Sequence, residues 1–428
     1  MRTNYRYTIM GLLFLATTIN YIDRQIIGLL KPILEVEFKW TEKDYANIVF
    51  WFQLMYGIGF ILSGRFIDKV GAKLGYGIAV FAWSAAAILN GFVKSTTGFI
   101  IARSGLGFAE AGSFPASNKA IAEWFPVKER SLASGIMVSG CTFGPLIAPA
   151  GVLWIANNYG WQLAFIVTGA LGLVWVVAWY FLYTKPQQST RVSKEELDFI
   201  TADQTPSNKE ETAKASIPQI LKKRATWGFF IANFLTDAIF WFYLFWMPSY
   251  LANNGLLKTQ IAFPITIIYA VTAALSISGG WLSSYLIKKG WTVNSSRKTT
   301  MFICVALVLP VLLIQYSHDI WISVYIVAFA AGAQTVWKGV LLTTVSDQFP
   351  KAVVGSVSGI GGFGGAIGGM LAAQGVGVLL DGYKAANNLQ GGYSLIFICC
   401  GVSFLTATVV FHLLSPKLEK VKFKQGLN

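Results

Sequence analysis

The chain has little charge, few cysteines and almost no histidine. Of its 428 residues only 13% are charged, while 54% are apolar and 15% are aromatic. Because soluble domains carry about 25% charged residues, this composition argues against a soluble enzyme. Four cysteines and two histidines, without a CxxC spacing, do not indicate a disulfide framework or a zinc site. We therefore expect no metal and no cofactor.

The apolar residues form long blocks, and each block is long enough to cross a hydrocarbon core about 30 Å thick as a helix. Twelve such blocks are recognised, at residues 8–30, 45–66, 72–93, 97–123, 131–156, 161–184, 225–251, 261–287, 299–317, 320–346, 353–380 and 391–414. The sequence thus predicts an all-α membrane protein with twelve transmembrane helices.

The positive charge is unevenly distributed along the chain. If both termini are cytoplasmic, 24 of the 34 basic residues lie in cytoplasmic segments and four lie within spans. The predicted external loops hold only six, namely Lys31, Lys39, Lys43, Lys94, Lys258 and Lys384. Cytoplasmic loops are the basic ones in membrane proteins. The net charge of +14 therefore indicates orientation, and no nucleic-acid partner is implied.

One long polar stretch, residues 185–224, divides the chain into two halves. It contains three prolines, charges of both signs, and a helix start at Ser193 with Glu196 three positions later, the pattern of a capping box. We expect a cytoplasmic linker with a short surface helix. The predicted domains are an N-terminal six-helix half at 1–184 and a C-terminal six-helix half with a short tail at 225–428.

The two halves repeat each other at a constant offset of 224 residues. The matching positions are Phe125-Pro126 with Phe349-Pro350, and Gly135, Gly140 and Gly144 with Gly359, Gly364 and Gly368. Two six-helix halves in the same orientation are typical of parallel-repeat transporters, whose substrate site lies at the membrane midplane between the halves. The repeat favours a transporter over a receptor or a membrane enzyme.

Ionisable residues inside the spans are the first candidates for function, because a charge at the centre of a bilayer costs about 2.5–3.5 kcal/mol on insertion scales. Away from the span ends, the predicted spans contain seven charged residues: Asp23, Arg24, Arg103, Glu110, Lys119, Asp237 and Lys338. Their depths and neighbours decide which roles are feasible.

In the N-terminal half, Asp23 and Arg103 are predicted at equal depth, which makes an ion pair feasible. Glu110 follows seven residues later on the same helical face, about 10 Å deeper. Two carboxylates at different depths can pass a proton across the half, although a purely structural Asp23–Arg103 clamp is the alternative. Arg24 has no evident acidic partner other than Asp23, and a planar clamp for a substrate carboxylate is its predicted use.

The other candidates each have two interpretations. Lys119 lies near the inner end of its span and is expected to extend to the interface. Asp237 lies among aromatic residues and serves either a site or packing, while Lys338 either reaches the interface or contacts substrate. Tyr56 lies near the middle of span 2, where its hydroxyl needs a polar partner.

Several segments resemble a known family. Residues 64–73, Gly-Arg-Phe-Ile-Asp-Lys-Val-Gly-Ala-Lys, resemble the loop 2/3 signature of the major facilitator superfamily. More narrowly, residues 20–24, 110–115 and 123–130 look like the anion:cation symporter family, closest to its bacterial hexuronate branch. The resemblance implies proton-driven uptake of a sugar-acid anion. It implies Asp23 and Glu110 at proton-coupling positions, and Arg24, Arg103 and Tyr56 at substrate or coupling positions.

The C-terminal half departs from this resemblance in part. Trp337 matches the family and is expected at the substrate site together with Asp237 and Lys338. However, Lys338 and Val340 replace small or amide residues, and Cys141 replaces an amide that galactonate-type members tend to carry. The added cation indicates a different or more anionic sugar acid.

These observations together predict a monomeric proton symporter of the inner (cytoplasmic) membrane. It imports a hexuronate such as glucuronate or galacturonate by rocking of the two halves, with Asp68 and Arg130 as cytoplasmic gating residues. Transport of another organic anion, such as an aldonate or aldarate, is the first alternative. A non-transporting sensor is the second. The residues leave the choice between protons and sodium ions open.

Overall fold

The computed structural model describes residues 4–201, 216–256, 260–317, 319–421 and 423, and the regular structure in these residues is helical. The helices are α1 (Tyr5–Phe38), α2 (Glu42–Asn90), α3 (Thr96–Glu110), α4 (Ser113–Trp124), α5 (Val127–Tyr159), α6 (Trp161–Leu182), α7 (Lys194–Thr201), α8 (Ile217–Leu221), α9 (Arg224–Asn253), α10 (Ala262–Lys288), α11 (Val293–Val308), α12 (Ile320–Gln348), α13 (Lys351–Ala385) and α14 (Leu389–Leu414). Short 3-10 segments lie at Pro186–Gln188 and Leu309–Tyr316. The predicted external Lys258 and residues 202–215 of the predicted linker lie outside the described residues.

The second and third predicted spans lie on α2, whose 49 residues reach about 74 Å at 1.5 Å per residue. The helix is interrupted at Gly71, whose φ of 86° and ψ of 165° are not helical. A side chain rarely adopts such a φ, so glycine is needed here. Lys119 caps the part of α2 that precedes this interruption. Its Nζ donates to the main-chain oxygens of Ile67 and Asp68 at 2.9 and 3.1 Å. The Lys119 side chain, which was predicted to extend to the membrane interface, therefore contacts the end of this helical part.

The fourth predicted span is two helices. α3 ends at Glu110 and α4 begins at Ser113, so only Ala111 and Gly112 separate them. The break follows directly after a buried glutamate. The sequence periodicity did not indicate this break, because the apolar pattern continues through it.

Eight helices in the described part of the chain are long and apolar enough to cross a membrane. α1 is not among them. Asn20, Asp23, Arg24 and Gln25 lie in its middle and are all buried. α3 and α4 are individually short, with 15 and 12 residues. The protein is an all-helical membrane protein, and the count of twelve crossings stays a prediction.

The chain divides into two compact units. Unit 1 comprises Met1–Trp40, Asn47–Ser207 and Leu257–Thr266, and unit 2 comprises Thr41–Ala46, Asn208–Leu256 and Ile267–Asn428. The six-helix halves at 1–184 and 225–428 stay a prediction, and each unit includes one short segment from the other part of the chain. Thr41 and the first five residues of α2 belong to unit 2, and the ten residues Leu257–Thr266 belong to unit 1.

Within unit 1, glycines let α1 and α5 approach closely. A methyl group on Gly140 would lie 2.8 Å from the main-chain oxygen of Phe14, and one on Gly144 would lie 2.6 Å from that of Thr18. Small residues at helix contacts in membranes allow such backbone approach. The glycines of the first repeat copy therefore pack α5 against α1.

Within unit 2, the second copy of the repeat forms the same kind of contact between α9 and α13. A methyl group on Gly364 would lie 2.8 Å from the main-chain oxygen of Phe230, and one on Gly368 would lie 2.0 Å from that of Phe234. The sequence repeat thus corresponds to the same packing inside each unit, between the first helix and the helix that follows a Phe-Pro pair.

The predicted surface helix of the linker is α7, which begins after Ser193. The Ser193 hydroxyl accepts a hydrogen bond from the main-chain N–H of Glu196 at 3.2 Å, as the capping pattern predicts. The Glu196 carboxylate is fully buried and accepts hydrogen bonds from the main-chain N–H groups of Tyr5 and Arg6. The Arg6 guanidinium, in turn, pairs with Glu196 and Glu129 at 3.1 and 2.9 Å. This network attaches the described part of the linker to the start of α1.

Candidate functional site

The centre of the candidate site in unit 1 is an ion pair between Arg24 on α1 and Glu110 at the end of α3. Nη2 and Nε of Arg24 donate to Oε2 of Glu110 at 2.8 and 3.0 Å. The two side chains are 2% and 0% exposed. The expectation that Asp23 was the only acidic partner within reach of Arg24 is therefore wrong. The Arg24 guanidinium, which was predicted to bind a substrate carboxylate, already binds the carboxylate of Glu110.

The direction of the side chains explains this pairing. Side chains on a helix lean toward its N-terminus. The predicted topology runs span 1 outward and span 4 inward, so Arg24 leans toward the cytoplasmic side while Glu110 leans toward the external side. These opposite inclinations close most of the depth difference of about 10 Å that residue counting predicts. Sequence position locates the Cα atoms, whereas the long side chains decide which groups meet.

Asp23 and Arg103 come together, but through different atoms than predicted. Nη1 of Arg103 donates to the main-chain oxygen of Asp23 at 2.9 Å. By distance and angle neither carboxylate oxygen of Asp23 accepts a hydrogen bond among the described residues, although the Thr168 side chain interacts with it, and the Asp23 side chain is fully buried. Asp23 also interacts electrostatically with Glu110 and Arg103. Four of the five charged residues predicted in the spans of the N-terminal half, Asp23, Arg24, Arg103 and Glu110, thus form one buried cluster.

Aromatic rings cover the Arg24 guanidinium. Its carbon lies 4.7 Å from the ring centres of both Tyr21 and Tyr56, and 5.7 Å from that of Phe52. A cation over an aromatic face is attracted to it, by about 0.5–2 kcal/mol. Tyr56 was predicted from the need of its hydroxyl for a polar partner, and the structure places its ring directly at the predicted cation. Tyr21 was missed, although it stands three residues before Arg24.

Unit 2 brings together Asp237 of α9 and Lys338 of α12. Nζ of Lys338 lies 2.6 and 2.8 Å from the two carboxylate oxygens of Asp237, and it also donates to Oδ1 of Asn233. The side chains of Asp237 and Lys338 are 22% and 29% exposed. Lys338 therefore points at an internal partner rather than at the interface. Asn233 was missed, although its position one helical turn before Asp237 would have indicated it.

Trp337 lies beside Lys338 in sequence but has a different environment. Its side chain is fully buried, its Nε1 donates to the hydroxyl of Thr408 at 3.0 Å, and its ring packs on Phe404 with the ring centres 5.3 Å apart. The structure thus shows Trp337 joining α12 to α14. A direct contact with substrate stays a prediction.

The two predicted gating residues lie in unit 1 at helix ends. The carboxylate of Asp68, with an 80% exposed side chain, lies 3.6 Å from Nζ of Lys119. Arg130 donates to the main-chain oxygens of Phe125 and Ala122 at 3.1 and 3.0 Å, and so caps the end of α4. Their gating role stays a prediction.

The described residues contain no group of three or more histidine, cysteine, aspartate or glutamate side chains that could hold a metal ion. The polar groups of both units instead present cations paired with carboxylates. Such an arrangement can bind an anion in exchange for an internal carboxylate, or release a cation when that carboxylate takes up a proton.

Comparisons with known proteins place the chain in a family. The sequence matches the Major Facilitator Superfamily over residues 13–373. In overall fold, the chain is similar to the crystal structure of D-xylose-proton symporter, with a TM-score of 0.78, 14% identity, and coverage of 98% of this chain and all of that one.

The curated relatives are transporters of sugar acids. The D-galactonate transporter of Escherichia coli O6:H1 is 28% identical over 89% of this chain and 90% of its own length. The hexuronate transporter of Escherichia coli K12 is 29% identical over 96% of this chain and 94% of its own. The probable galactarate/D-glucarate transporter GarP of the same strain is 28% identical over 98% and 97%.

These matches agree with the resemblance seen in the sequence. The family match covers residues 13–373, and the relatives cover 89–98% of the chain. The chain therefore belongs to the major facilitator superfamily and is a multi-pass membrane transporter related to sugar-acid transporters, not an enzyme.

Proposed function

We propose that the protein is a proton-coupled symporter that imports a sugar-acid anion, with a hexuronate such as glucuronate or galacturonate as its substrate. One observation carries this proposal, namely the buried pair of Arg24 and Glu110 with the unpaired carboxylate of Asp23 beside it. The relatives that act on hexuronates and related sugar acids support the choice of substrate.

Coupling follows from competition for Arg24. As long as Glu110 is ionised, its carboxylate occupies the guanidinium. Addition of a proton to Glu110 removes that negative charge, and the carboxylate of the substrate then replaces it at Arg24. When Glu110 loses its proton, the internal pair forms again and the substrate is released. One proton and one carboxylate therefore bind and leave together.

Asp23 supplies a second site for the proton. It is fully buried, and its carboxylate receives no hydrogen bond from the described residues. Burial without a hydrogen bond is costly for an ionised carboxylate, whereas the neutral acid tolerates it. Arg103, bound to the main chain of Asp23, keeps a positive charge beside both carboxylates. A proton received at Asp23 can then pass to Glu110.

The remaining predicted residues complete the proposal. Tyr56 faces the guanidinium and offers a hydroxyl to the sugar, while Asp237 and Lys338 contribute substrate contacts from unit 2, with Trp337 behind them. Asp68 and Arg130 take part in closing the cytoplasmic side during alternating access. The protein acts as a monomer in the cell membrane, with both termini in the cytoplasm.

The test is uptake of labelled glucuronate into proteoliposomes that contain the purified protein, under an imposed inward proton gradient. Accumulation that collapses when a protonophore is added, and that persists when sodium is replaced by choline, is expected. Accumulation that follows sodium instead would overturn proton coupling. Absence of uptake by correctly inserted protein would exclude hexuronates as substrates.

Galacturonate, galactonate and glucarate are then compared as competitors. A hexuronate transporter is inhibited most strongly by galacturonate. If galactonate or glucarate inhibits uptake more strongly, the substrate is another member of the sugar acids. If none of the anions is transported but one of them stabilises the purified protein against heat, a sensor is indicated.

A further inference from the structure

Three consecutive basic residues, Lys222, Lys223 and Arg224, lie where the chain enters α9 in unit 2. Nζ of Lys223 lies 5.3 Å from the ring centre of Phe423. Lys222 and Arg224 are exposed, and neither forms a salt bridge with an acidic side chain in the described part of the chain. Residues 216–236 contain no aspartate or glutamate. The segment therefore presents positive charge that its own side chains do not neutralise.

Large apolar side chains close to these cations in sequence are exposed as well. Ile217 and Leu221 of α8 are 62% and 36% exposed, and Trp227 of α9 is 45% exposed. Arg224 and Trp227 are three residues apart on one helix, so they lie on the same face. Tryptophan near the end of a membrane-spanning helix is typical of the interface between headgroups and hydrocarbon. Positive charge and apolar surface thus occur together, as on segments that bind a membrane surface.

Hydrogen bonds between α8 and α9 fix this arrangement. The hydroxyl of Thr226 donates to the main-chain oxygen of Ile220 at 2.8 Å, and Nε1 of Trp227 donates to that of Leu221 at 2.8 Å. Both oxygens lie at the C-terminal end of α8, where the carbonyl groups of a helix lack partners within the helix. The turn between α8 and α9 is therefore held in place. Because the indole N–H is already bonded, the ring can lie among acyl chains without an unpaired donor.

The start of α1 in unit 1 shows what a basic residue looks like when its charge is used inside the protein. Arg6 is 3% exposed, and it pairs with Glu129 and Glu196 at 2.9 and 3.1 Å. Lys222 and Arg224 have no such carboxylates among the residues that the structure describes. Their charges are accordingly available to a ligand from outside the protein.

We infer that the start of α9 binds an anionic phospholipid through the phosphate of its headgroup. Lys222 and Arg224 supply the positive charge, and a guanidinium can donate two parallel hydrogen bonds to a phosphate. Ile217, Leu221 and Trp227 lie against the acyl chains beside it. With the predicted orientation this is the cytoplasmic leaflet, whose surface carries the negative charge of anionic lipids. The inference is independent of the transported substrate.

The test measures lipid binding to the purified full-length protein in micelles of a neutral detergent, by native mass spectrometry. The probes are phosphatidylglycerol, which has a net negative charge, and phosphatidylcholine with the same acyl chains, which has none. Wild-type protein is expected to bind phosphatidylglycerol more tightly, and added salt is expected to reduce the difference because it screens the charges. Equal affinity for the two lipids overturns the inference.

Lys222→Gln/Arg224→Gln is expected to weaken binding of phosphatidylglycerol by about thirtyfold, which is about 2 kcal/mol for two cations near an anionic surface. Lys222→Arg/Arg224→Lys keeps both charges and is expected to bind within about threefold of the wild type. The matched control is Lys185→Gln/Lys194→Gln, which removes two exposed basic residues of unit 1 and is expected to change the affinity by less than about twofold. Equal losses in the two neutral variants would show an effect of net charge alone and overturn the inference.

Inorganic phosphate and glycerol 3-phosphate distinguish a lipid site from a site for soluble anions. Neither is expected to displace phosphatidylglycerol when present at the same concentration, because neither has acyl chains. Displacement by either would assign the cluster to soluble phosphates and overturn the choice of lipid. Melting temperatures without added lipid control for folding. If the double variant is unstable, Lys222→Gln and Arg224→Gln are tested singly, each with an expected loss of about fivefold, and unchanged affinity in both overturns the inference.

Discussion

Units 1 and 2 pack their first long helices in the same way, but their ion pairs differ in exposure. In unit 1 the side chains of Arg24 and Glu110 are 2% and 0% exposed, whereas those of Asp237 and Lys338 in unit 2 are 22% and 29% exposed. In the proposed exchange a proton reaches the sealed pair first, and its addition to Glu110 frees Arg24 for the carboxylate of the substrate. An accessible pair can exchange its carboxylate with a solute.

The repeat shows what the two units share. Glycines at equivalent positions bring α5 onto α1 and α13 onto α9. The charged positions do not correspond, since Gln334 stands where Glu110 is found in the first copy. The comparison teaches that the duplicated pattern specifies helix packing, and that each unit has its own polar chemistry. We propose proton coupling and binding of the substrate carboxylate at Arg24 for unit 1, and further substrate contacts at Asp237 and Lys338 for unit 2.

The largest expected effect comes from Glu110→Gln. The glutamine side chain does not ionise, so position 110 can no longer take up and release a proton. Accumulation driven by a pH gradient is therefore expected to vanish. Counterflow exchange of labelled for unlabelled substrate is expected to remain, because it requires no net proton movement. Both are measured in the same proteoliposomes. Loss of exchange in a folded protein would show that Glu110 does more than couple protons.

Arg24→Lys is expected to weaken uptake by about ten- to a hundredfold, which is about 1.4–2.8 kcal/mol. A lysine keeps the charge but loses the planar fork and the stacking between Tyr21 and Tyr56. The concentration dependence of initial uptake rates measures this loss. Unchanged affinity would remove Arg24 from the binding site and leave unit 2 as the only place of anion contact.

Gly365→Ala tests the contact between α13 and the carboxylate of Asp237, which pairs with Lys338. Because its methyl group would lie 1.9 Å from Oδ2 of Asp237, the carboxylate or α13 must move, and we expect a destabilisation of about 1–3 kcal/mol. Gly362→Ala on the same helix is the matched control, since its methyl group meets no atom within 4 Å. Thermal unfolding of the purified proteins compares them. Equal melting temperatures would show that the carboxylate is not held against α13.

The smallest expected effect comes from Tyr56→Phe. The ring over the Arg24 guanidinium remains, so the variant loses only the hydroxyl and its hydrogen bonding, worth about 0.5–1.5 kcal/mol or a two- to tenfold rise in KM. Tyr56→Leu removes the ring as well and is expected to cost more. A phenylalanine variant as impaired as the leucine variant would assign the whole contribution to the hydroxyl.

Much of the candidate site could be predicted from the sequence, because charges within apolar blocks are conspicuous. Asp23, Arg24, Arg103 and Glu110 were all identified in this way, and the structure brings them into one cluster. Their pairing was not predicted correctly. Counting residues along a helix gives the height of each Cα atom, but an arginine or glutamate side chain bridges a full helical turn.

Residues without charge were harder to find. Tyr21, Asn233 and Gly365 lie at the two ion pairs, yet aromatic, amide and glycine residues are common in membrane helices and none of them is conspicuous in its segment. Only contact with a charged residue gives them a function. The break between α3 and α4 was missed for a related reason, because the apolar pattern continues through it.

The sequence by itself determined that the chain is a helical membrane protein with a duplicated packing pattern, since these properties depend on the order of apolar, small and charged residues along each segment. The tertiary structure decided that Arg24 is held by Glu110 and that Lys338 is held by Asp237. These contacts depend on how neighbouring helices are turned about their axes and where their long side chains lean. Contacts between helices set both, and no single segment contains that information.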